Sequence, residues 1–215
     1  MAKSQYFFET KQEKCLMAYI VVATSNEHKV EEYRKLLDGQ NVELKSLLDY
    51  PGFPGVAEDG KTFAENAGIK ALAACKYCDV PAFADDSGLE VEALDGRPGV
   101  YSSRYADSDP ERIAKLLKEL EGKDNRRARF VCAISIAFNG EIIETFEGEV
   151  KGTITLAPRG NGGFGYDPVF QPDGYDQTFG ELPQEVKNKI SHRANAFKKA
   201  MDFVDEEMSA LDADF

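Results

Sequence analysis

Two adjacent aspartates, Asp85 and Asp86, follow a short run of small and apolar residues and precede a serine and a glycine. The run over residues 82–84 is typical of the end of a buried strand. Side chains that follow one another on a strand point to opposite faces, so both aspartates can face one site only if the strand ends there. Because Gly88 tolerates the backbone angles of such an end, we expect the strand to stop at this point.

The charges of this pair limit what the site can be. Two like charges about 4 Å apart repel by about 4 kcal/mol at an effective dielectric constant of about 20. A fold that holds both carboxylates must therefore bind a cation, share a proton between them or turn one of them outward. The alternative is a polar turn in which Asp85 caps the backbone, and the stretch alone leaves these interpretations open.

Glu65 is a candidate second carboxylate for a divalent cation held near Asp86. It stands three residues after Thr62, which is the spacing of a capping box, so its carboxylate could instead accept a hydrogen bond from the Thr62 amide. The helix that begins here is predicted to run to about Cys78. A loop over residues 51–60, rich in proline and glycine, precedes it and could move.

A polar segment between the first predicted strand and the first predicted helix is a candidate phosphate site. Residues 19–23 are typical of a buried strand, and the helix that follows has Val30 and Tyr33 on one face. Backbone N–H groups at a helix start can bind an anion, and a lysine adds positive charge. Because the segment lacks the glycines of phosphate-binding loops, the alternative is an N-cap beside a solvated lysine. The segment consists of Thr24, Ser25, Asn26, Glu27, His28 and Lys29.

The start of the last predicted helix gives a separate indication of a bound anion. Ser191 is the expected N-cap, which places His192 and Arg193 in the first turn. Cations at a helix N-terminus oppose the helix dipole, so their placement favours an anion between them and the helix end. A surface His–Arg pair is the alternative.

A glycine-rich stretch over residues 158–168 could approach a ligand closely. Four of the six residues from 160 to 165 are glycines, which let the backbone come near a ligand. Phe164 and Tyr166 offer flat faces on which a base could stack, an interaction of about 1–3 kcal/mol. A flexible linker is the alternative, although the aromatic residues argue against a pure linker.

The elements that must position these residues predict an α/β fold. Strands over residues 19–23, 42–48 and 82–84 are separated by helices, and Asn139-Gly140 between two apolar runs is the strongest short signal for a hairpin. Pro110 predicts another helix start, with Asp109 as its N-cap. At 215 residues the chain suits one domain of ordinary size, with room for two lobes.

The composition argues against several classes of protein. A net charge of −12 does not suit a protein whose main partner is a nucleic-acid backbone, although a local basic pocket could hold a small phosphorylated ligand. No apolar run approaches the roughly 18 residues of a membrane span, and we expect a cytoplasmic protein. Cys75 and Cys78 have the C-x-x-C spacing, but Cys75 belongs to an apolar helical face with Ala71 and Ala74, so reduced thiols are a simpler explanation than a zinc or redox site. We expect residues 1–17 to be an N-terminal extension, or Met17 to be the natural start.

Four of these segments follow one another in a specific order, at residues 24–29, 84–89, 164–167 and 191–193. Together they resemble the inosine triphosphate pyrophosphatase family, also called Ham1-like. The resemblance covers nearly everything from Ala18 to Asp205, although the family usually has glycine where Ser25 stands. The predicted catalytic domain spans residues 18–208 and is followed by a C-terminal tail over residues 209–215.

The resemblance implies an α/β fold with an elongated mixed sheet, flanking helices and two lobes around a central cleft, usually assembled as a homodimer. It implies an enzyme that hydrolyses deaminated purine nucleotides (ITP, dITP and XTP) to the monophosphate and pyrophosphate, and so cleanses the nucleotide pool. In the implied mechanism a water activated by Mg²⁺ and deprotonated by Asp86 attacks the α-phosphorus.

The resemblance also implies roles for the residues introduced above. Asp86 is the catalytic carboxylate and a magnesium ligand, and Glu58 and Glu65 are candidates for further metal coordination. Residues 24–29 cradle the triphosphate, and Ser87 contacts the substrate. The base, the sugar and the rest of the nucleotide are held by Phe164, Gly165, Tyr166, Asp167, Lys187, His192 and Arg193.

Three alternative functions remain distinguishable by experiment. The nearest is a pyrophosphatase that prefers modified pyrimidines, as in the Maf-like proteins of similar fold. The paired carboxylates argue against a nucleotide sensor without catalysis. The net charge argues against a nucleic-acid-binding module.

Overall fold

The computed structural model describes residues 19–39 and 42–213, with side chains to residue 206, and the predicted N-terminal extension lies outside these ranges. The described helices are α1 (Glu27–Leu36), α2 (Phe63–Cys78), α3 (Asp109–Glu119), α4 (Gln184–Ile190) and α5 (His192–Ala213). The described strands are β1 (Tyr19–Val22), β2 (Glu43–Ser46), β3 (Ala82–Val91), β4 (Arg127–Phe138), β5 (Glu141–Ile154) and β6 (Phe170–Pro172).

These strands form one mixed sheet in the order β2-β1-β3-β4-β5-β6. β1 pairs in parallel with both β2 and β3, whereas β5 and β6 are antiparallel. Parallel neighbours need a crossover, and α1 and α2 provide the crossovers from β1 to β2 and from β2 to β3. The predicted α/β class, with a mixed sheet and flanking helices, is confirmed.

The turn between β4 and β5 follows directly from its two residues. Asn139 and Gly140 have φ angles of 49° and 77°. A two-residue hairpin turn of the type that matches strand twist requires positive φ at both positions, which glycine adopts without strain and asparagine tolerates. The predicted hairpin is therefore confirmed.

Strand β3 corrects the prediction of a strand end at the aspartate pair. The strand runs without a break from Ala82 to Val91, so Gly88 lies inside it. β3 has a hydrogen-bonded neighbour on each side, β1 and β4, and a continuous ladder satisfies the backbone groups that a turn would leave to other partners. Asp85 and Asp86 consequently point to opposite faces, and each needs its own partners.

The chain divides into two compact units. The first contains the described parts of residues 1–86, 133–147 and 196–215, and the second contains residues 87–132 and 148–195. Small side chains of α2 pack against β1 and β3 in the first core, and this cluster includes Cys75. The second core is built from larger side chains, among them Leu89, Leu116, Leu120, Phe130 and Phe170. None of the helices in the described ranges has the length and apolar character to cross a membrane.

Two leucines test the assignment of the second core. Leu116 is 0% exposed, whereas Leu156 is 83% exposed. Leu116→Ala is expected to lower the free energy of unfolding by about 2–5 kcal/mol, because it removes buried contacts and leaves a cavity. The matched Leu156→Ala should change that free energy by less than about 0.5 kcal/mol. Urea unfolding followed by circular dichroism measures both, and equal effects would contradict the assignment.

Candidate active site

Each of the two aspartates of β3 has a lysine partner within the first unit. Asp85 is 1% exposed, and its two carboxylate oxygens lie 3.0 and 2.9 Å from Lys29 Nζ. Asp86 Oδ1 accepts a hydrogen bond from Lys70 Nζ at 2.9 Å. The repulsion between the carboxylates is therefore offset by two ammonium groups, and the polar-turn alternative is wrong.

Lys70 also connects Asp86 to the loop that precedes α2. Its ammonium lies 3.1 Å from Glu58 Oε2, and the Lys70 side chain is only 12% exposed. Two carboxylates from distant positions in the sequence thus converge on one positive charge. Asp86 additionally accepts a hydrogen bond at Oδ2 from Asn66 Nδ2 at 3.2 Å.

Burial and charge act in opposite directions on this lysine and aspartate. Burial lowers the pKa of Lys70, but the Asp86, Asp85 and Glu58 carboxylates raise it by more, so the pKa lies above its ordinary value. Burial raises the pKa of Asp86, against the opposing effects of its lysine and amide neighbours. A buried carboxyl with a raised pKa beside specific charge partners is typical of functional sites.

The donor set around Lys70 fits a divalent cation that has further ligands from a substrate. Asp86 and Glu58 already share one cationic group, and Mg²⁺ takes one or two carboxylates together with phosphate oxygens and water. Among the described residues, no group of three or more His, Cys, Asp or Glu side chains is arranged to hold a metal ion. Asp86 and Glu58 therefore form a partial ligand set, to which phosphates would add other ligands.

The Glu65 carboxylate caps a backbone amide before α2, as one alternative from the sequence predicted, but it bonds a different amide from the one expected. Thr62 Oγ1 accepts a hydrogen bond from the Glu65 amide at 3.1 Å, and Glu65 Oε2 accepts one from the Lys61 amide at 2.6 Å. The carboxylate thus bonds the amide of Lys61 rather than the expected amide of Thr62. Its role as a metal ligand stays a prediction.

The predicted phosphate segment forms the N-terminus of α1. Asn26 is the N-cap, and its side-chain oxygen accepts hydrogen bonds from the amides of His28 and Lys29 at 3.0 and 3.3 Å. Thr24 Oγ1 accepts one from the Asn26 amide at 3.2 Å. The solvated-lysine alternative is wrong, since the Lys29 side chain is 16% exposed and ion-paired. The exposed members of the segment are Ser25, Asn26, Glu27 and His28.

The residues predicted to hold the base lie in the second unit, around a buried ion pair. Asp167 Oδ2 accepts hydrogen bonds from the Phe164 amide at 2.9 Å and from Lys187 Nζ at 2.6 Å. The Lys187 and Asp167 side chains are 3% and 4% exposed. The Lys187 ammonium lies 4.9 Å, and the Arg193 guanidinium 5.7 Å, from the centre of the Phe164 ring. The ion pair thus fixes both the loop backbone and an aromatic face.

Further contacts hold this glycine-rich stretch, so the flexible-linker alternative is wrong. Gly163 has a φ of 70°, and a side chain there would overlap the Asp167 carboxylate. The Gly165 amide donates to Asp109 Oδ2 at 2.6 Å, and Tyr166 Oη donates to the Ser102 carbonyl at 3.0 Å.

Asp109 also corrects a prediction about its helix. Ser108 is the N-cap of α3, with its hydroxyl accepting from the Glu111 amide, and Asp109 is the first helical residue. Serine and aspartate have similar capping preference, so the sequence does not separate them. The Asp109 carboxylate is thereby available to bond the glycine-rich stretch.

The residues that begin α5 are buried. Ser191, His192 and Arg193 are 4%, 5% and 2% exposed, so the surface-pair alternative is wrong. The Ser191 hydroxyl accepts a hydrogen bond from the Ala194 amide in the first turn at 3.1 Å, which confirms the predicted N-cap. Arg193 Nη2 donates to Ser87 Oγ at 3.2 Å, and the His192 ring stacks on Phe130 with centroids 4.8 Å apart.

Three residues at these sites were not predicted from the sequence to belong to them: Asn66, Lys70 and Asp109, the last of which was predicted only as a helix N-cap. The first two stand one turn apart on α2, flanked by Ala67 and Ala71, which are fully buried. An isolated polar pair at this spacing beside the apolar stripe of a helix is the signal that could have identified them. Asp109 carries no such signal, because acidic residues are common in any first helical turn.

Comparison with known proteins shows extensive similarity. The model of the Ham1 family matches residues 20–203. The dITP/XTP pyrophosphatase of Geobacillus kaustophilus is 52% identical over 188 residues, which are 85% of this chain and 92% of that relative. The dITP/XTP pyrophosphatase of Bacillus licheniformis is 49% identical over 195 residues, which are 88% of this chain and 100% of that relative.

Solved structures agree with this similarity. The Staphylococcus aureus Ham1 protein superposes with a TM-score of 0.79 at 41% identity, covering 88% of this chain and 99% of that one. A HAM1 protein from Coxiella burnetii gives a TM-score of 0.81 at 39% identity, covering 88% of this chain and 100% of that one.

The buried ion pair of the second unit predicts a large effect on stability. Lys187→Met is expected to lower the free energy of unfolding by about 3–5 kcal/mol, because it leaves the Asp167 carboxylate buried without its charge partner. Lys151→Met is the matched control, since Lys151 pairs with Glu149 at 62% exposure and should contribute less than about 1 kcal/mol. Urea unfolding compares the two variants, and similar small losses would argue against a structural role of the buried pair.

Proposed function

The chain belongs to the Ham1 family, and we propose that it hydrolyses deaminated purine nucleoside triphosphates to the monophosphate and pyrophosphate. The predicted enzyme class is confirmed by relatives of 52% and 49% identity that are dITP/XTP pyrophosphatases. The structural observation that supports the proposal most is the buried Asp86, held by Lys70 in company with Glu58.

The triphosphate needs local positive charge, because the whole chain repels it. It brings about four negative charges to a protein of net charge −12. Lys29 and Lys70 are the ammonium groups at the aspartate pair, and each ammonium has three N–H donors. We propose that both bind phosphate oxygens while they keep their carboxylate partners.

Asp86 is proposed as the general base. Its carboxylate takes a proton from the attacking water, which then bonds to the α-phosphorus as the bond to the β-phosphate breaks. Asp86 and Glu58 would hold Mg²⁺, which neutralises phosphate charge and lowers the pKa of water when bound. The reaction needs no protein nucleophile, since water attacks phosphorus directly.

The second unit offers groups suited to a purine base. We propose that the base stacks on Phe164, whose ring is fixed by the Asp167–Lys187 pair. Donors from His192 or Arg193 would meet the 6-oxo group of inosine or xanthine. A 6-amino group would place donor against donor and leave buried groups unpaired, which disfavours adenine.

The proposed substrate class and the family resemblance also support a proposal for the cellular setting. We propose that the protein is a cytoplasmic homodimer that cleanses the nucleotide pool, because that pool is where deaminated triphosphates arise. Size-exclusion chromatography with light scattering measures the oligomeric state.

Pyrophosphate release from a panel of triphosphates tests the proposed function. With Mg²⁺, kcat/KM for ITP, dITP and XTP should exceed that for ATP by about 100-fold or more, because a site built for hydrogen bonding rejects the mismatched base. Excess chelator should abolish release. A preference for dTTP or modified UTP would support the Maf-like alternative, and binding without any release would support a nucleotide sensor.

Asp86→Asn tests the general base. It should lower kcat for ITP by about 100- to 10,000-fold, because the amide cannot take a proton, while nucleotide binding persists. Asp124→Asn is the matched control, since Asp124 is exposed and lies in the second unit. Steady-state kinetics and calorimetric binding of ITP separate the two effects. An unchanged kcat in Asp86→Asn would remove this carboxylate from the mechanism.

A further inference from the structure

Asn66 is a buried amide with two specific partners. It is 0% exposed, its Nδ2 donates to Asp86 Oδ2 at 3.2 Å, and its Oδ1 accepts from the Gly60 amide at 2.9 Å. The orientation of the amide is unambiguous, because a backbone N–H can only donate and an ionised carboxylate can only accept. Asn66 therefore links Asp86 of β3 to the loop that precedes α2.

We infer that Asn66 is a positioning residue that sets Asp86 in register with the loop carrying Glu58. The inference rests on the proposed function and deepens it. Lys70, one turn further along α2, makes a parallel connection, because it bonds both Glu58 Oε2 and Asp86 Oδ1. Asn66 and Lys70 thus each bond one carboxylate oxygen of Asp86. Asn66 also bonds the Gly60 amide of the loop, and Lys70 also bonds the Glu58 carboxylate of the loop.

The loop is fitted closely to Asn66. A Cβ atom at Gly60 would lie 2.7 Å from Asn66 Oδ1 and 2.8 Å from Glu65 Cβ, so a side chain there would push the loop away. The earlier part of the loop is held on the same helix by Phe53, whose ring packs edge-on against Tyr77 at 5.3 Å. The loop therefore contacts α2 at two points, through Phe53 and through Gly60.

The chemistry of the position selects an amide. A leucine of similar size would leave the Gly60 amide and one oxygen of Asp86 without these partners. An aspartate at position 66 would keep the acceptor for the Gly60 amide but would place a second carboxylate against Asp86. The two carboxylates would then either rotate apart or share a proton. Asparagine provides one donor and one acceptor where each is needed.

Asn125 provides a matched control for substitution of Asn66. Its Nδ2 donates to the Glu92 carboxylate at 3.0 Å and its Oδ1 accepts from the Arg127 amide at 3.0 Å, the same pair of bonds at an exposed position. Asn66→Asp should lower kcat for ITP about 10- to 100-fold, the range found when groups that orient metal ligands are removed. KM should change by less than about threefold, and Asn125→Asp should change neither constant by more than about twofold.

A binding measurement separates positioning from misfolding. An ITP analogue with an imido link between the α- and β-phosphates should bind Asn66→Asp within about threefold of the wild-type affinity in the absence of metal, because the amide of Asn66 is already bonded to Asp86 and to the Gly60 amide. Gly60→Ala should lower kcat in the same way, since it displaces the loop from Asn66. Thermal unfolding gives the folded fraction to which every kcat is normalised.

The outcomes distinguish this inference from the function on which it rests. No release of pyrophosphate from ITP by the wild type overturns the proposed function. With an active wild type, an unchanged kcat in Asn66→Asp, or a loss that disappears on normalisation to folded protein, overturns the positioning role. A wild-type kcat in Gly60→Ala overturns the connection to the loop.

Discussion

Two adjacent carboxylates buried in a central strand require matching positive charge, and this requirement organises the first unit. An unpaired carboxylate in such a place would be strongly destabilising. Asp85 is satisfied by Lys29 from α1, and Asp86 by Lys70 from α2. Both helices are crossovers beside β3, so the parallel topology delivers one lysine to each carboxylate. The same two lysines are the groups proposed to bind the triphosphate.

The second unit also contains a buried carboxylate that is paired with a lysine. Asp167 is buried, it bonds a lysine, and it also bonds a backbone amide of the stretch that it immobilises. In the first unit the corresponding amide belongs to Gly60 and is reached through Asn66. In both units a buried carboxylate thus helps to hold the backbone of a glycine-containing segment in place, directly in the second unit and through Asn66 in the first. Loops with this support can present ligand-binding groups with little reorganisation, which is what catalysis requires.

Local chemistry explains which predictions succeeded and which failed. The Asn139-Gly140 turn and the Ser191 cap depend on a few consecutive residues, and the structure confirms both. The predicted strand end at Asp86 failed, because pairing with neighbouring strands on both sides outweighs the local turn tendency of Ser87 and Gly88. The alternative of a solvated Lys29 failed for the same kind of reason, since the partner of Lys29, Asp85, lies far along the chain.

By itself the sequence determined the family, the order of the main elements and the carboxylate proposed for the chemistry, because these depend on residue types and short spacings. Only the tertiary structure decided which lysine meets which aspartate and that Asn66 connects Asp86 to the loop. These contacts join residues that hydrophobic patterns do not relate. Their geometry depends on how both α1 and α2 lie against β3, which no single segment specifies.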